Sequence, residues 1–411
     1  MLFSMKNIIL FDNEIRNQLL PLTYTRPIGE LRLGITTLRE KWERKLGGEV
    51  SYITQEYLVD KFPINIKDVN YVIDGSVMPT ERLCERINNL EDNEALLFKG
   101  ELIAARLDKD QFERMMRNEE IDELEGFETD VMNGVRKITH VWDLFVLNAE
   151  AIQQDFEMLT AGRYSQPLSS TNRVIGDPEL IFLEKGADVE CCILNTKDGP
   201  IYIGENAQIM EGSAVRGPFA MGEQSVVKML SKIYGATTLG PDCKVGGEIN
   251  NSILTGHSNK AHDGFLGNSI LGEWCNIGAD SNNSNLKNTY DEVKLWDYTK
   301  DSFASTGLQF CGLIMGDHSK CGINTMFNTG TVVGVSANIF GAGFPRNFIP
   351  SFSWGGATGF STYSLEKSTH AAKRVMERRQ VLFDETERAI FESIFQFSAK
   401  YRTWEKSQTA S

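Results

Sequence analysis

Two of the five histidines in the chain stand in one short polar stretch, Gly256-His257-Ser258-Asn259-Lys260-Ala261-His262-Asp263. An imidazole changes charge near neutrality, so a positioned histidine can take the proton from an amine or hydroxyl that attacks an acyl donor. Phe265, Asn276 and Asn285 follow within the next 23 residues. The residues by themselves leave two readings open. One is a general base for acyl transfer; the other is a pair of loop histidines hydrogen-bonded to nearby turns.

That stretch interrupts a strict period. Ile203, Ile209, Val215, Met221, Val227, Ile233, Leu239 and Val245 fall six residues apart, and Ala207, Ser213, Ser225, Ser231, Thr237 and Cys243 stand four positions after six of them. A six-residue period fits neither a 3.6-residue helix nor a two-residue strand alternation. It fits a solenoid of short strands, with three hexads closing each coil. The aliphatic side chain points into a narrow core. The small residue takes the corner, where a larger one would meet the next face. The period returns at Met315, Cys321, Phe327, Val333 and Ile339, and residues 283–314 read as an excursion between the two runs. Stacked coils bury surface only against their neighbours, so both ends need caps. A three-faced solenoid has no internal pocket, so a site on it forms in grooves between coils or between copies.

Residues 5 to about 160 alternate strand and helix signals. Strands are expected at Ile8–Phe11, Val50–Thr54, Tyr71–Val77 and Leu96–Phe98, with Leu102–Leu107 as a hairpin partner. Helices are expected from the stripe Leu31, Ile35, Leu38, Trp42 and Leu46, and at Glu81–Leu90, Gln111–Arg117 and Val141–Leu159. Such alternation implies a mostly parallel sheet covered by helices, with ligands beyond the carboxyl ends of the strands. The expected organisation is an α/β domain over 1–162, a solenoid over 163–362 and a helical segment over 363–411. A net charge of −14 with no basic concentration argues against nucleic acid as partner. The acidic run from Glu119 to Asp130 reads as a solvated loop. Seven cysteines, an odd number without repeated CxxC, fit reduced thiols in the cytoplasm. No apolar run reaches the ~18 residues that would span a membrane.

The hexads, Ser258-Asn259-Lys260-Ala261-His262 and Trp274-Cys275-Asn276-Ile277-Gly278-Ala279 together resemble the acetyltransferase domain of the bifunctional N-acetylglucosamine-1-phosphate uridylyltransferase/glucosamine-1-phosphate acetyltransferase family. The stretch Leu20-Pro21-Leu22-Thr23-Tyr24-Thr25-Arg26-Pro27-Ile28-Gly29-Glu30-Leu31-Arg32 looks like the start of a sugar-1-phosphate nucleotidyltransferase. With Phe327–Gly334 and Pro350–Gly356, the chain is similar to an alternative bacterial subgroup of that family. The resemblance implies a Rossmann-like nucleotidyltransferase domain, then a left-handed parallel β-helix with a C-terminal helical cap, assembled as a homotrimer. It implies Mg²⁺ with a nucleoside triphosphate, a sugar phosphate, and acetyl-CoA between adjacent helices. His262 matches the family's base, and Asn276 and Asn285 its substrate-contacting asparagines. Phe265 stands for a sugar-phosphate tyrosine and Lys232 for a phosphate-binding arginine; Glu248 also matches, and Asn250 replaces a lysine. The family's phosphate-wrapping glycine loop is replaced by Phe11-Asp12-Asn13-Glu14-Ile15-Arg16, which leaves Arg16, Arg26 and Arg32 as candidates for bidentate phosphate contacts. Asp74 is the stand-in for the family's metal-binding aspartate, with Asp12 and Asp143 as further carboxylates. Two other readings remain: a nucleotidyltransferase for another hexose-1-phosphate with a structural solenoid, and a non-catalytic regulatory or assembly protein of the same plan.

Overall fold

A computed structural model describes residues 5–117, 124–130 and 135–408. Residues 119–123 of the acidic run lie outside the described residues. Two compact units emerge. One comprises the residues up to Leu19, Thr25–Leu31 and Thr36–His140; the other comprises Leu20–Tyr24, Arg32–Ile35 and the chain from Val141 on.

The first unit is built on a six-stranded sheet: β1 (Lys6–Phe11), β2 (Gly48–Ile53), β3 (Val69–Asp74), β4 (Glu94–Phe98), β5 (Glu101–Asp108) and β6 (Glu125–Glu128), in the order β2-β1-β3-β5-β4-β6. β1 runs parallel to β2 and β3, whereas β5 is antiparallel to both β3 and β4. The sheet is therefore mixed: it is parallel around β1 and again between β4 and β6, with β5 running against its neighbours. Both faces of β1 are covered, which is why its sequence is apolar without alternation. Ile8 and Leu10 pack with Trp42 of α1 (Leu38–Leu46) and Leu83 of α2 (Glu81–Asn88). Ile9 packs on the other face with Phe112 of α3 (Lys109–Met116). Thr37 and Glu40 form a capping box at the start of α1, and Gly47 ends it in the left-handed region.

The second unit carries three long parallel ladders, an arrangement that fits a β-helix. The coil strands pair with their counterparts one coil away, so Ile201, Phe219 and Thr237 form successive rungs of one ladder. The hexad aliphatics Ile203 to Val245 form one continuous buried core. Corners are made by residues in the left-handed region, among them Gln224, Asp242, His257, Trp274 and His318 in one column. The small residue after such a corner links coils through its hydroxyl. Ser225 Oγ donates to Gly240 O and accepts from Cys243 N, and Ser258 and Ser319 repeat this pattern. Serine at these positions thus satisfies backbone groups that the turn leaves buried.

The period slips after Val245 for a local reason. Val226 to Lys232 spans a corner with a six-residue step, while their rung partners Lys244 and Glu248 are only four residues apart. Gly246-Gly247 closes that tight corner, Gly247 with φ +76°. The next rung, Asn259 to Phe265, returns to six. The excursion leaves after Asn282–Asn283, forms an antiparallel hairpin (Lys294–Asp297 with Ser302–Ser305), and rejoins where Ile314 pairs with Ile270.

Helix α4 (Asp143–Thr160) lies on one coil face, where Ile152, Phe156 and Leu159 pack against Phe182, Tyr202 and Ala220. Asn148, fully buried, donates to Ala236 O and accepts from Gly34 N. The C-terminal helices α5 (Leu365–Glu377) and α6 (Glu385–Phe397) follow the left-handed corner column instead of sitting across the end. Just past α5, Arg379 pairs with Asp242 at 3.1 Å, and Phe391 of α6 meets His318 and Phe352 edge-on. α7 (Thr403–Gln408) packs on the terminal hairpin strand Gly359–Thr362. Among the described residues no helix is long and apolar enough to cross a membrane.

Candidate functional site

The carboxyl ends of β1 and β3 lie side by side, with Phe11 in register with Asp74. Asp12 therefore emerges next to Asp74, and both are almost fully enclosed. Asp12 accepts from Ile28 N at 2.8 Å and Thr54 Oγ1 at 2.6 Å, with Arg16 Nε at 3.4 Å. Burial pushes the Asp12 carboxyl up from its ordinary value, and the charge of Asp74 adds to that; Thr54, Ile28 and Arg16 pull the other way. Arg16 also donates to Tyr57 Oη at 2.7 Å.

Asp74 is saturated. Its two oxygens accept from Ser76 N, Ser76 Oγ, Asn13 Nδ2 and Lys137 Nζ, all at 2.6–3.0 Å. A carboxylate has about four acceptor positions, so none is left for a metal. Lys137 reaches it because residue 137 bridges to Val77, just beyond β3. Burial opposes the charge on Lys137, but the hydrogen bond it donates to Glu101 and the charge of Asp74 outweigh it and hold the ammonium above its usual value. Among the described residues no three His, Cys, Asp or Glu side chains could together hold a metal ion. The arrangement does not fit a protein-held Mg²⁺: an ammonium already stands at the buried carboxylate. Of the arginines, Arg16 and Arg26 are buried, and Arg32 donates to Thr255 O and Ile35 O. Asp143 stands at the first position of α4.

The second cluster is on the coil. Lys232, Glu248 and Phe265 are successive rungs of one ladder, so three residues expected at a substrate site form a single column. Lys232 Nζ lies 3.3 Å from Glu248 Oε2. Asn285 belongs to the following coil; its Nδ2 donates to Asn268 Oδ1 and lies against Gly267 beside the Phe265 ring. Asn276 stands in a different ladder, paired with Asn259. Asn259 Oδ1 is buried and has no hydrogen-bond partner among the described residues.

His262 occupies the corner that leads into Phe265. That corner is two residues longer than the tight one beneath it, so Ala261–Gly264 form a loop over Gly246-Gly247. The fit needs glycine: a Cβ on Gly246 would stand 2.6 Å from Ala261 O, and one on Gly247 2.7 Å from Gly264 O. The His262 side chain is exposed and makes no hydrogen bond among the described residues. His257 is placed otherwise. It stacks on Trp274 at 4.1 Å and faces Asp242 at 3.3 Å within the corner column.

Lys260 was not legible as part of this site. In register with Val245, it occupies an interior rung and is 1 % exposed. Its ammonium has three N–H groups and three acceptors: Gly246 O at 3.1 Å, Asp263 O at 3.1 Å, and His262 O. It therefore ties the long corner to the tight one and fixes the peptide that carries His262. Burial pulls the Lys260 ammonium down to about 8, against a partial opposing effect of Asp263. The nearest sequence signal is a lysine where the register calls for an aliphatic.

Residues 8–164 match the family model of a sugar nucleotidyl transferase. The match runs from within β1 through the other five strands of the sheet to α4, and it marks the protein as a transferase with an N-terminal nucleotidyltransferase domain. No curated protein matches the chain.

Proposed function

We propose that the chain makes a sugar nucleotide in two steps carried by separate units, in the manner of the bifunctional uridylyltransferase/acetyltransferase family. In the first unit a sugar-1-phosphate oxygen attacks the α-phosphorus of a nucleoside triphosphate and pyrophosphate leaves. The sugar nucleotidyl transferase match over residues 8–164 carries this reading. The cations Arg16 and Lys137 beside Asp12 and Asp74 are the local charges toward which a phosphate would be drawn, and Arg26 is a further candidate. Mg²⁺ in this reading arrives on the triphosphate.

On the coil, the amine of an amino-sugar phosphate attacks the thioester carbonyl of acetyl-CoA, the nitrogen gives its proton to His262, the C–S bond breaks, and the leaving CoA thiolate takes that proton back from His262 to depart as the thiol. The column Lys232–Glu248–Phe265, ending at the His262 corner, supports this step: it offers a cation for the phosphate, a carboxylate and a ring for the sugar. The reading includes a left-handed coil, a homotrimer with acetyl-CoA between adjacent coils, and a cytoplasmic setting. A second reading keeps only nucleotidyl transfer, to another hexose-1-phosphate. It is favoured by the family match ending at residue 164, before the coil begins.

Both are tested by a pyrophosphate-release screen across nucleoside triphosphates and hexose-1-phosphates with Mg²⁺, run beside a free-thiol assay with acetyl-CoA and amino-sugar phosphates. Pyrophosphate release with no thiol release selects the second reading. Silence in both assays from folded protein rejects the two together. Sedimentation showing a stable monomer at micromolar concentration removes the intersubunit acetyl-CoA groove.

A further inference from the structure

A cavity of about 1060 Å³ in the second unit lies between the excursion hairpin, the last coil and the C-terminal segment. It uses none of the candidate site residues named above. Its floor is aromatic and braced. Trp296 of the hairpin stacks on Phe348 at 4.1 Å with the rings 6° from parallel, and Tyr401 stands edge-on to both. Phe303, 43 % exposed, meets Trp296 edge-on. Trp404 and Phe360 also line the cavity and stack on each other, with the Trp404 indole N–H donating to Thr362 Oγ1 at 2.9 Å.

The lining is cationic. Lys287, Lys294, Arg346 and Lys400 face a single carboxylate, Asp301, in a chain whose net charge is −14. Asp301 is already used by Lys400 at 3.2 Å and by Tyr401 Oη at 2.8 Å. Lys287 donates to Glu292 O. Lys294 and Arg346 are exposed and make no ion pair among the described residues. Two uncompensated cations therefore rise over a set of open ring surfaces.

We propose that this cavity binds a nucleotide, through ring stacking on the aromatic floor and phosphate contacts from Lys294 and Arg346. The two features select the ligand together. An apolar ligand would leave the cations without counter-charge, and an inorganic anion would leave the rings uncovered. A nucleotide supplies a planar π-face for stacking and oxygens that a guanidinium can engage in bidentate fashion. The cavity also exceeds the lower end of volumes that enclose a ligand of that size.

The test uses the full chain and two azido nucleotides, 8-azido-ADP and 5-azido-UDP, photolysed on the protein and mapped by peptide mass spectrometry. Labelling is expected in the peptides holding Trp296 and Phe303, or Tyr401 and Trp404, and it should fall at least tenfold in Lys294→Glu/Arg346→Glu. Equilibrium dialysis should give ADP or UDP at least tenfold tighter binding than pyrophosphate, and tighter than the bare nucleoside. Label confined to peptides of the first unit overturns the proposal. So does labelling unchanged in the double variant, or pyrophosphate binding as tightly as the nucleotides. Both variant positions are exposed, and an unchanged thermal midpoint confirms that lost labelling is not lost folding.

Discussion

Replacing Lys260 with Met tests whether a charged strut holds the His262 corner. The side chain stays long and fits an interior rung, but the three donors disappear. Gly246 O is the fully buried acceptor of the three; leaving it without a donor costs about 1–3 kcal/mol. The other two carbonyls are at a part-buried corner and can turn to water. The expected loss at pH 7 is thus about 1–3 kcal/mol by denaturant unfolding. The pH dependence is the sharper reading. Lys260 is lowered in the fold to about 8 from 10.5, so between those values the unfolded chain binds the proton that the folded chain has released. Wild-type stability therefore gains from this group as pH rises from 8 toward 10.5, by up to about 1.4 kcal/mol per pH unit. Lys260→Met loses that contribution, so the gap between the two proteins widens through that window. Other groups, including Lys320, which is also lowered to about 8, are common to both proteins and cancel. Stability curves that run parallel from pH 7.5 to 10 would refute the interior placement of this ammonium.

His262→Ala should lower the acetyl-transfer kcat at least about a hundredfold with little change in thermal midpoint, since a positioned base is worth ~10²–10⁴ and this side chain is exposed; an unfolded variant would assign the histidine a structural role. Lys137→Met leaves Asp74 with its buried charge uncompensated and should destabilise the protein by about 3–5 kcal/mol in calorimetry, the range for breaking a buried pair; a loss under 1 kcal/mol would mean the pair is dispensable. Ser258→Ala removes the acceptor for Cys275 N and the donor to Gly272 O, and should cost about 1–3 kcal/mol in urea unfolding without altering either transfer activity.

What could be read from the chain, and what could not, divides along a physical line. The hexads were legible because stacking acts on every rung alike, so one rule writes itself repeatedly into the sequence. The polar break at 256–263 was legible as a break, and it marks the lengthened corner. Lys260 was hidden because its neighbours Asn259 and Ala261 suggest a polar loop. Only the pairing with Val245 shows that its side chain points inward. The Asp74–Lys137 pair was hidden for a different reason. The two residues are 63 positions apart, and a bridge between Val77 and Lys137 brings them together. The arginines near the first strand were read as phosphate ligands from their type, but type does not reveal burial, and Arg16 and Arg32 have internal partners. The apolar stripes of α5 and α6 gave helices, while the surface they cover is fixed by a distant aspartate and histidine.

Ile270 and Ile314 are neighbouring rungs although 43 residues separate them in the chain. The ladder thus recognises what is adjacent in space and takes no account of how the polypeptide travelled there. A closing loop of that length adds little entropic penalty over a shorter one, because the cost grows only with its logarithm. The exit after Asn283 is therefore a point where the chain can leave and return in step: the coil resumes at Ile314 in register with Ile270. New surface can be tried at that corner while the core on both sides of it stays as it was.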